Sequence, residues 1–165
     1  MLDFLLYFPL FVLAVFVFSP IFLGVPFLTT HRKQAKKMME LAEIKSGTKV
    51  IDLGSGAGRL LFLAAKNGAT AIGYELNPFL VWWTRLVIFL TGQQKNIKVY
   101  YKSIYDADIS QADVILLFLY PPHMKKLTDK IFSEAKDGAK IVSYAFQFTD
   151  RTPIAKEQAL YVYKK

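Results

Sequence analysis

The sequence predicts an α/β protein with a doubly wound, mainly parallel sheet, preceded by an N-terminal transmembrane helix. Three observations lead to this prediction. Apolar segments of strand length alternate with helical ones after residue 48, a glycine-rich turn joins the first strand to the next helix, and residues 4–23 carry no charge. Strands that alternate with helices build parallel sheets, because each helix returns the chain to the same end of the sheet. At 165 residues, one domain of this kind is expected.

The N-terminal apolar segment, residues 4–23, is long enough to cross a bilayer as one helix, which takes about 20 apolar residues. A cleaved signal peptide would begin with a basic region and end in small residues, and neither feature is present. A soluble helix would normally carry polar residues along one face. We therefore expect residues 1–30 to form a transmembrane anchor with its connector, and residues 31–165 to form the globular domain.

Charge predicts the orientation of this anchor. Asp3 is the only charged residue before residue 31, so 21 basic and 12 acidic residues follow, a net charge of +9. Basic residues next to a membrane span remain on the cytoplasmic side, where they also meet anionic headgroups. Nucleic acid is the other common partner of such charge, but the membrane segment disfavours it and no nucleic-acid motif is present. Without cysteines and with only two histidines, neither disulfides nor a metal site is expected.

The expected elements after the anchor alternate in type. A basic amphipathic helix at 32–44 comes first, and a short terminal strand pair closes the chain. The segment at 113–119 is continuously apolar, as expected of a strand that is buried on both faces. Strands are expected at 49–53, 70–75, 97–102, 113–119 and 139–146, and helices at 58–67, 78–91 and 122–136.

The predicted helix at 78–91 is apolar on nearly all sides. From Phe79 to Leu90 only Thr84 and Arg85 interrupt the apolar sequence. The helix is too short for a second membrane span. Two interpretations remain open: it is buried between the sheet and the basic helix, or its outer face lies against the bilayer or the anchor. Trp82 and Trp83 are expected to be packing residues, with the alternative that one of them borders the cofactor pocket.

The glycine-rich turn indicates the kind of ligand. Its glycines, Gly54, Gly56 and Gly58, follow the spacing G-x-G-x-G, whereas a dinucleotide site needs G-x-G-x-x-G. Asp52, just before the turn, would repel a pyrophosphate but suits a cation. S-adenosylmethionine (SAM) carries a sulfonium and an amino group and no phosphate. Glu75, at the end of the next strand, can accept hydrogen bonds from both ribose hydroxyls. A tight turn that binds nothing is the alternative.

Three motifs occur in a family's order and spacing: Asp52 to Arg59, Gly73 to Pro78, and Phe118 to Pro122. With the connector Val25-Pro26-Phe27, they resemble the seven-strand protein-lysine N-methyltransferases, the group that includes the mitochondrial enzymes for the ATP synthase c-subunit and for adenine nucleotide translocase. This resemblance implies a Rossmann-like class I SAM methyltransferase domain over residues 31–165, with a membrane anchor before it.

The resemblance also implies the site residues. The cofactor would be bound by Asp52, Gly54, Ser55, Gly56, Gly58, Glu75, Leu76, Asn77, Ser103, Ile104 and Leu119. The family usually has an acidic residue near the adenine amino group where this chain has Ser103, a weaker acceptor. Asp106 is either a displaced substitute or a solvated loop residue.

The resemblance places the target amine at the turn Tyr120-Pro121-Pro122. A lysine amine is protonated at neutral pH and cannot attack, and a narrow apolar slot lowers its pKa. Backbone carbonyls of Leu119 and Tyr120 could orient the amine, and the Tyr120 ring could stabilise the developing ammonium. Tyr120 could instead only cap the sheet, and His123 is either a base or the first residue of a helix.

The expected function is therefore SAM-dependent methylation of a lysine side chain in a protein, and the anchor indicates a membrane protein as the substrate. Two alternatives remain: methylation of a small-molecule or lipid amine, and a non-catalytic SAM-binding or scaffold protein.

Overall fold

The computed structural model describes residues 7–8, 30–119 and 121–165, without the side chains of residues 121–124. None of the helices in this described part is long and apolar enough to span a membrane. The predicted anchor at residues 4–23 lies outside the described residues, apart from Tyr7 and Phe8. The fold below is therefore that of the globular domain.

Helices and strands alternate through the domain as predicted. The helices are α1 (Arg32–Leu41), α2 (Arg59–Lys66), α3 (Pro78–Leu90) and α4 (Pro121–Glu134). The strands are β1 (Lys49–Leu53), β2 (Thr70–Glu75), β3 (Ile97–Tyr101), β4 (Val114–Leu117), β5 (Lys140–Tyr144), β6 (Ala155–Glu157) and β7 (Leu160–Lys164). The predicted bounds are correct to within three residues. The predicted 32–44 helix ends early because Glu43 has a φ of 55°, in the left-handed region.

The strands form one seven-stranded sheet in the order β3-β2-β1-β4-β5-β7-β6. β1 to β5 run parallel, and β7 pairs antiparallel with both β5 and β6. Leu53 of β1 lies opposite Tyr74 of β2 and Leu117 of β4. The carboxyl ends of the parallel strands therefore share one edge of the sheet, where open α/β sheets bind their ligands.

Two hydrophobic cores lie on opposite faces of the sheet. The first packs α1, α2 and α3 against residues such as Val50, Ala71 and Val114. The second packs α4 and the segment after β3 against residues such as Ile51 and Ile115. That segment contains only a short 3-10 turn, Ile104–Asp106, so three helices cover one face and a single helix covers much of the other. The doubly wound prediction is correct, with unequal layers.

Burial of α3 is one-sided, which corrects one of the two interpretations above. Val81, Thr84 and Ile88 are buried against the sheet. Trp82 and Trp83 point outward and are 64% and 49% exposed. The helix is thus not enclosed between the sheet and α1, and the two tryptophans are not core packing residues.

Candidate functional site

Asp52 lies at the carboxyl end of β1, between Gly73 of β2 and Leu116 of β4. The side chain is buried, and no hydrogen bond from a described residue is among the causes of its pKa shift. Burial, and to a smaller degree the charge of Glu75, raises the pKa of Asp52 to about 8. An unpaired carboxylate in such a place costs free energy until a cation or a proton joins it.

The glycine turn follows Asp52 and packs tightly against its neighbours. Gly54, Gly56 and Gly58 all have positive φ, at 83°, 54° and 79°. A Cβ atom at Gly54 would lie 2.9 Å from Cδ2 of Leu119, and one at Gly58 would lie 2.7 Å from Cγ2 of Thr84. Glycine at 54 and 58 is therefore required twice, by the backbone conformation and by the lack of room for a side chain.

Glu75 joins the glycine turn to the start of α3. Its Oε2 accepts a hydrogen bond from the Gly56 N–H, and its Oε1 accepts one from the Asn77 N–H, both at 2.8 Å. A carboxylate has about four acceptor positions, so two remain for other donors. The structure brings Asp52, Gly56 and Glu75 together as the sequence predicts.

Asn77 has a structural task beside its predicted one. Its Oδ1 accepts hydrogen bonds from the N–H groups of Phe79 and Leu80, and so caps the N-terminus of α3. Pro78 occupies the first helical position, where proline is favoured. Leu76, between Glu75 and this cap, is 46% exposed and therefore available to a ligand at the sheet edge.

Ser55 packs inward, beneath the turn. Its N–H donates to Tyr74 O, and its carbonyl accepts from the Gly58 N–H. Its hydroxyl oxygen is buried without a hydrogen-bond partner among the described residues, and it faces Gly73, where a Cβ would come within 2.5 Å of it. Ser55 therefore shapes the turn, because its polar backbone groups already bond within the fold. Its role as a cofactor ligand remains a prediction without a contact to support it.

Gly73 is the residue that sequence reasoning missed. It carries no predicted role, yet any side chain there would collide with Ser55 and with Leu61 of α2. The signal was present, because a glycine inside a strand often marks close approach of another backbone. Thr84 is a second such residue, and its hydroxyl donates to Gly56 O at 3.2 Å.

Ser103 follows β3 at the same edge of the sheet. Its Oγ accepts a hydrogen bond from the Tyr105 N–H at 3.3 Å, and the next residue, Ile104, is buried. Asp106 is exposed, which favours the solvated-loop interpretation over a displaced substitute. Because the strands lie in the order β3-β2-β1-β4, the residues at their carboxyl ends follow one another along the edge in the spatial order Ser103, Glu75, Asp52 and Leu119.

The predicted acceptor turn begins where Leu119 meets Gly54. Leu119 is buried, and α4 starts at Pro121, two residues later. Tyr120 lies outside the described residues, and the side chains of Pro121, Pro122 and His123 are not described. Their roles in binding the amine therefore stay predictions.

Aromatic side chains flank this turn, and sequence reasoning did not predict their grouping. The Phe118 ring lies 4.6 Å from the Tyr144 ring and 6.5 Å from the Phe146 ring, between centroids. The Ser143 hydroxyl donates to Phe146 O, which holds the turn after β5. Ala145 in that turn has a φ of 68°, unusual for a residue with a side chain. Three half-buried rings thus border the end of β4, where the acceptor turn begins.

The end of the connector is fixed close to the glycine turn. Arg59, the first residue of α2, donates from Nη1 to the carbonyl of Thr30 at 2.6 Å. Thr30 itself is buried. Thr30 therefore lies next to the start of α2, at the edge that carries the site.

The residues of this edge fit a cationic ligand that has a ribose and no phosphate. The buried Asp52 carboxyl group, whose raised pKa favours the protonated form without a ligand, can ionise when a cation binds next to it, and the free acceptor positions of Glu75 suit two hydroxyls. SAM is such a ligand, and the glycine turn leaves room for its close approach. Fold and site together are those of a Rossmann-like class I SAM methyltransferase domain.

The chain belongs to the ANTKMT methyltransferase domain family, whose family model matches residues 52–155. The human lysine N-methyltransferase of the ATP synthase C-subunit is 34% identical over 129 residues, which is 78% of this chain and 55% of that protein. A protein-lysine N-methyltransferase from Saccharolobus islandicus is 30% identical and covers 78% of this chain and 81% of that protein. The family predicted from the three motifs is thereby confirmed, and so is SAM as the cofactor.

One solved structure adds to this result. An RNA methyltransferase from Salinibacter ruber, in complex with S-adenosyl-L-homocysteine, superposes with a TM-score of 0.77 at 30% identity. The match covers 82% of this chain and 91% of that chain. This chain spans only 52% to 59% of the length of the vertebrate ATP synthase C-subunit methyltransferases that it matches.

Proposed function

We propose that this chain is a SAM-dependent protein-lysine N-methyltransferase whose substrate is a membrane protein. The observation that carries the proposal is the buried, unpaired Asp52 beside a glycine turn in a chain of this family. The human and archaeal relatives, both named lysine N-methyltransferases, support lysine as the acceptor. Residues 31–165 form the methyltransferase domain.

The cofactor edge binds and orients through two carboxylates. When bound, SAM supplies an electrophilic methyl group. The ionised carboxylate of Asp52 offsets positive charge on the methionine part of the ligand, while Glu75 accepts from the ribose hydroxyls. Because the Gly56 and Asn77 N–H groups already hold Glu75, it is oriented before the ligand arrives. Such preorganisation lowers the cost of ordering the site on binding.

The acceptor side must deliver a neutral amine. Lysine is charged in water, and desolvation among apolar groups favours the uncharged form. The half-buried rings of Phe118, Tyr144 and Phe146 border the end of β4, next to the predicted turn Tyr120-Pro121-Pro122. These rings would exclude water from a lysine side chain and attract its ammonium as the new bond forms. Positioning and exclusion of water are the contributions that an in-line displacement requires.

Membrane attachment is the second half of the proposal. Residues 4–23 cross the membrane as one helix, and the basic residues after residue 30 place the methyltransferase domain on the cytoplasmic side. The carbonyl contact between Thr30 and Arg59 keeps the site close to the end of this anchor. A lysine near the end of a membrane span in another protein would be within reach.

Labelled methyl transfer tests the activity. Membrane fractions receive the full chain and SAM with a labelled methyl group, and acid hydrolysis of the products should release methyl-lysine. Asp52→Ala should abolish the transfer, whereas Asp106→Ala, an exposed acid after β3, should retain it. Label in an extractable amine would favour a small-molecule or lipid substrate. A folded chain that binds SAM but labels no acceptor would point to a non-catalytic protein.

RNA is a second candidate acceptor, because one 30% identical solved structure is that of an RNA methyltransferase and this chain carries a net charge of +8. The same assay separates the two. Label that ribonuclease releases and protease does not would replace lysine by RNA as the substrate.

A further inference from the structure

We propose that the outer face of α3, formed by Trp82, Trp83, Leu86, Phe89 and Leu90, lies against the lipid bilayer. The inference rests on the proposed membrane attachment and adds a second contact, made by the methyltransferase domain itself. Phe89 and Leu90 are 68% and 71% exposed, and Trp82 and Trp83 are 64% and 49% exposed. Soluble monomers rarely leave such a continuous apolar surface to water.

The spacing of these residues makes a stripe. Positions 82, 83, 86, 89 and 90 recur every three or four residues, which places them on one side of the helix. The buried residues Val81, Thr84 and Ile88 occupy the opposite side, against the sheet. α3 thus has two apolar faces, and only one of them has a role in the described fold.

Two contacts fix the rotation of α3, so the outer face cannot turn inward. Arg85 donates from Nε and Nη2 to Val99 O, at 3.0 and 2.8 Å, and covers a carbonyl of the edge strand β3. Thr84 donates to Gly56 O on the neighbouring glycine turn. The outward direction of the tryptophans is therefore a property of the fold.

Composition indicates a bilayer surface as the occupant. Trp82 and Trp83 are the only two tryptophans in the chain, and both lie on this face. Tryptophan is enriched where membrane meets water, because its ring is apolar and its N–H still finds a partner. The positive charge of the residues after residue 30 attracts anionic headgroups to the same protein.

Chain length places the face within reach of the membrane. The predicted span ends at residue 23, and Thr30 is held by Arg59 at the start of α2. The residues between them can extend no more than about 20 to 25 Å. Gly58, the residue before α2, lies close to Thr84 of α3, since a Cβ atom on the glycine would come within 2.7 Å of Cγ2 of the threonine. A domain tethered this closely would meet the bilayer with the nearby α3.

Such docking has a consequence for the site. α3 begins at Pro78, three residues after Glu75, whose carboxylate accepts hydrogen bonds from the Gly56 N–H of the glycine turn and from the Asn77 N–H. With the outer face in the lipid, the cofactor edge lies near the headgroups. Lysines at the ends of membrane spans extend to that level. The surface would thus present the site to lysines of embedded proteins.

Tryptophan fluorescence tests the proposal in the full chain. The protein is reconstituted into vesicles of phosphatidylcholine and phosphatidylglycerol, with or without bromine on the acyl chains. Because both tryptophans lie on α3, their emission reports this face alone. Contact with lipid should shift the emission to shorter wavelength, and brominated chains should quench it roughly twofold or more.

Variants locate the contact. The double variant Phe89→Gln, Leu90→Gln should lose most of the quenching while unfolding at an unchanged temperature, because both side chains are exposed. Ile154→Gln is the matched control, since Ile154 is also an exposed apolar residue, at 62%, and lies beside β6. It should leave the quenching unchanged. Equal quenching in both variants would contradict docking through α3.

Other occupants give other results, and each overturns the proposal. If the chain pellets with vesicles but brominated lipid does not quench its tryptophan fluorescence, membrane attachment would be retained and contact of α3 with lipid would be excluded. If aqueous iodide then also fails to quench, something else covers the face. Shielding that depends on protein concentration would indicate a second copy, and shielding that does not would indicate residues 4–23. A chain that stays in the supernatant would overturn the proposed membrane attachment as well.

Discussion

The carboxylates at the ends of β1 and β2 lie on neighbouring strands, yet their surroundings differ in kind. Glu75 is half-buried, and two backbone N–H groups already bond to it. Asp52 is buried, bonds to nothing in the described part of the chain, and has a pKa raised to about 8. One carboxylate therefore builds the turn, and the other is left for a ligand. The same sequence signal, an acid at the end of a strand, can therefore stabilise the ligand-free fold in one case and cost free energy in the other.

Removing the charge of Asp52 should have the largest effect. Asp52→Asn is expected to weaken SAM binding about 100-fold, on the order of 3 kcal/mol, because the charge that faces the ligand is lost. The same variant should raise the unfolding temperature of the ligand-free protein near pH 8, since an isolated buried charge is removed. Titration calorimetry and thermal unfolding measure the two effects. An affinity within about threefold of wild type, or a lower unfolding temperature, would contradict the contrast with Glu75.

A change in pH should alter the ionisation of Asp52, and with it the stability of the ligand-free chain, without a mutation. Burial raises the pKa of Asp52 from 3.8 to about 8, so the folded ligand-free chain favours its protonated form. The contribution of Asp52 to the free energy of unfolding should therefore be largest below about pH 4. Between about pH 4 and pH 8 it should fall by at most about 1.4 kcal/mol per pH unit, and above about pH 8 it should level off.

SAM binding should depend on pH in the opposite direction. If the ligand takes the ionised carboxylate, affinity should rise by up to about tenfold per pH unit until pH 8 and change little above it. Calorimetry in buffers of different ionisation enthalpy would detect the released proton. Asp52→Asn serves as the control, because it should show neither dependence. A flat profile for the wild type would place the ionisation elsewhere.

Glu75→Gln should have a smaller effect and the opposite sign on stability. The amide keeps one acceptor oxygen and turns its NH₂ toward either Gly56 N or Asn77 N. We expect about tenfold weaker SAM binding and a loss of about 1 to 2 kcal/mol in the free energy of unfolding. Denaturant unfolding of the ligand-free protein measures the second value. A stabilised variant would mean that Glu75, like Asp52, is strained without ligand.

Ser103→Asp should give the smallest change, and a gain. The new carboxylate can still cap the Tyr105 N–H, as the serine oxygen does, and it adds a stronger acceptor at the end of β3. SAM should bind about threefold more tightly, less than 1 kcal/mol. Asp106→Asn, at an exposed acid of the same loop, should leave the affinity unchanged. Equal effects at both positions would show only a change in overall charge.

The glycines near the site show which features could be predicted from the sequence and which could not. Gly54 and Gly58 were predictable from their spacing after a strand, because a ligand turn needs close backbone approach. Their contacts with Leu119 and Thr84 were not, since those residues follow β4 and lie in α3, far along the chain. Gly73 was missed although a glycine inside a strand is itself a signal of close approach. The residues that approach it, Ser55 and Leu61, were not predictable because they contact it only in the fold.

In α3 the helix itself was predictable from the sequence, but the side of the helix that faces the core was not. A long apolar segment that begins with Pro78, a favoured first helical residue, predicts a helix over residues 78–91, and the helix is there. A helix that is apolar all round carries no information about which side faces the core. Arg85 and Thr84 decide that through their bonds to Val99 O and Gly56 O, and so they turn Trp82 and Trp83 outward.

The order of strands and helices, the cofactor class and the family could be predicted from the amino-acid sequence, because they depend on local spacing and on residue types close together in the chain. The tertiary structure alone decided which acid is left without a partner, which face of α3 is exposed, and which aromatic rings border the acceptor turn. Those properties depend on burial and on contacts between distant segments. The two carboxylates make the point physically: Asp52 and Glu75 look alike in sequence, and only packing separates a preformed hydrogen-bond acceptor from an unpaired charge.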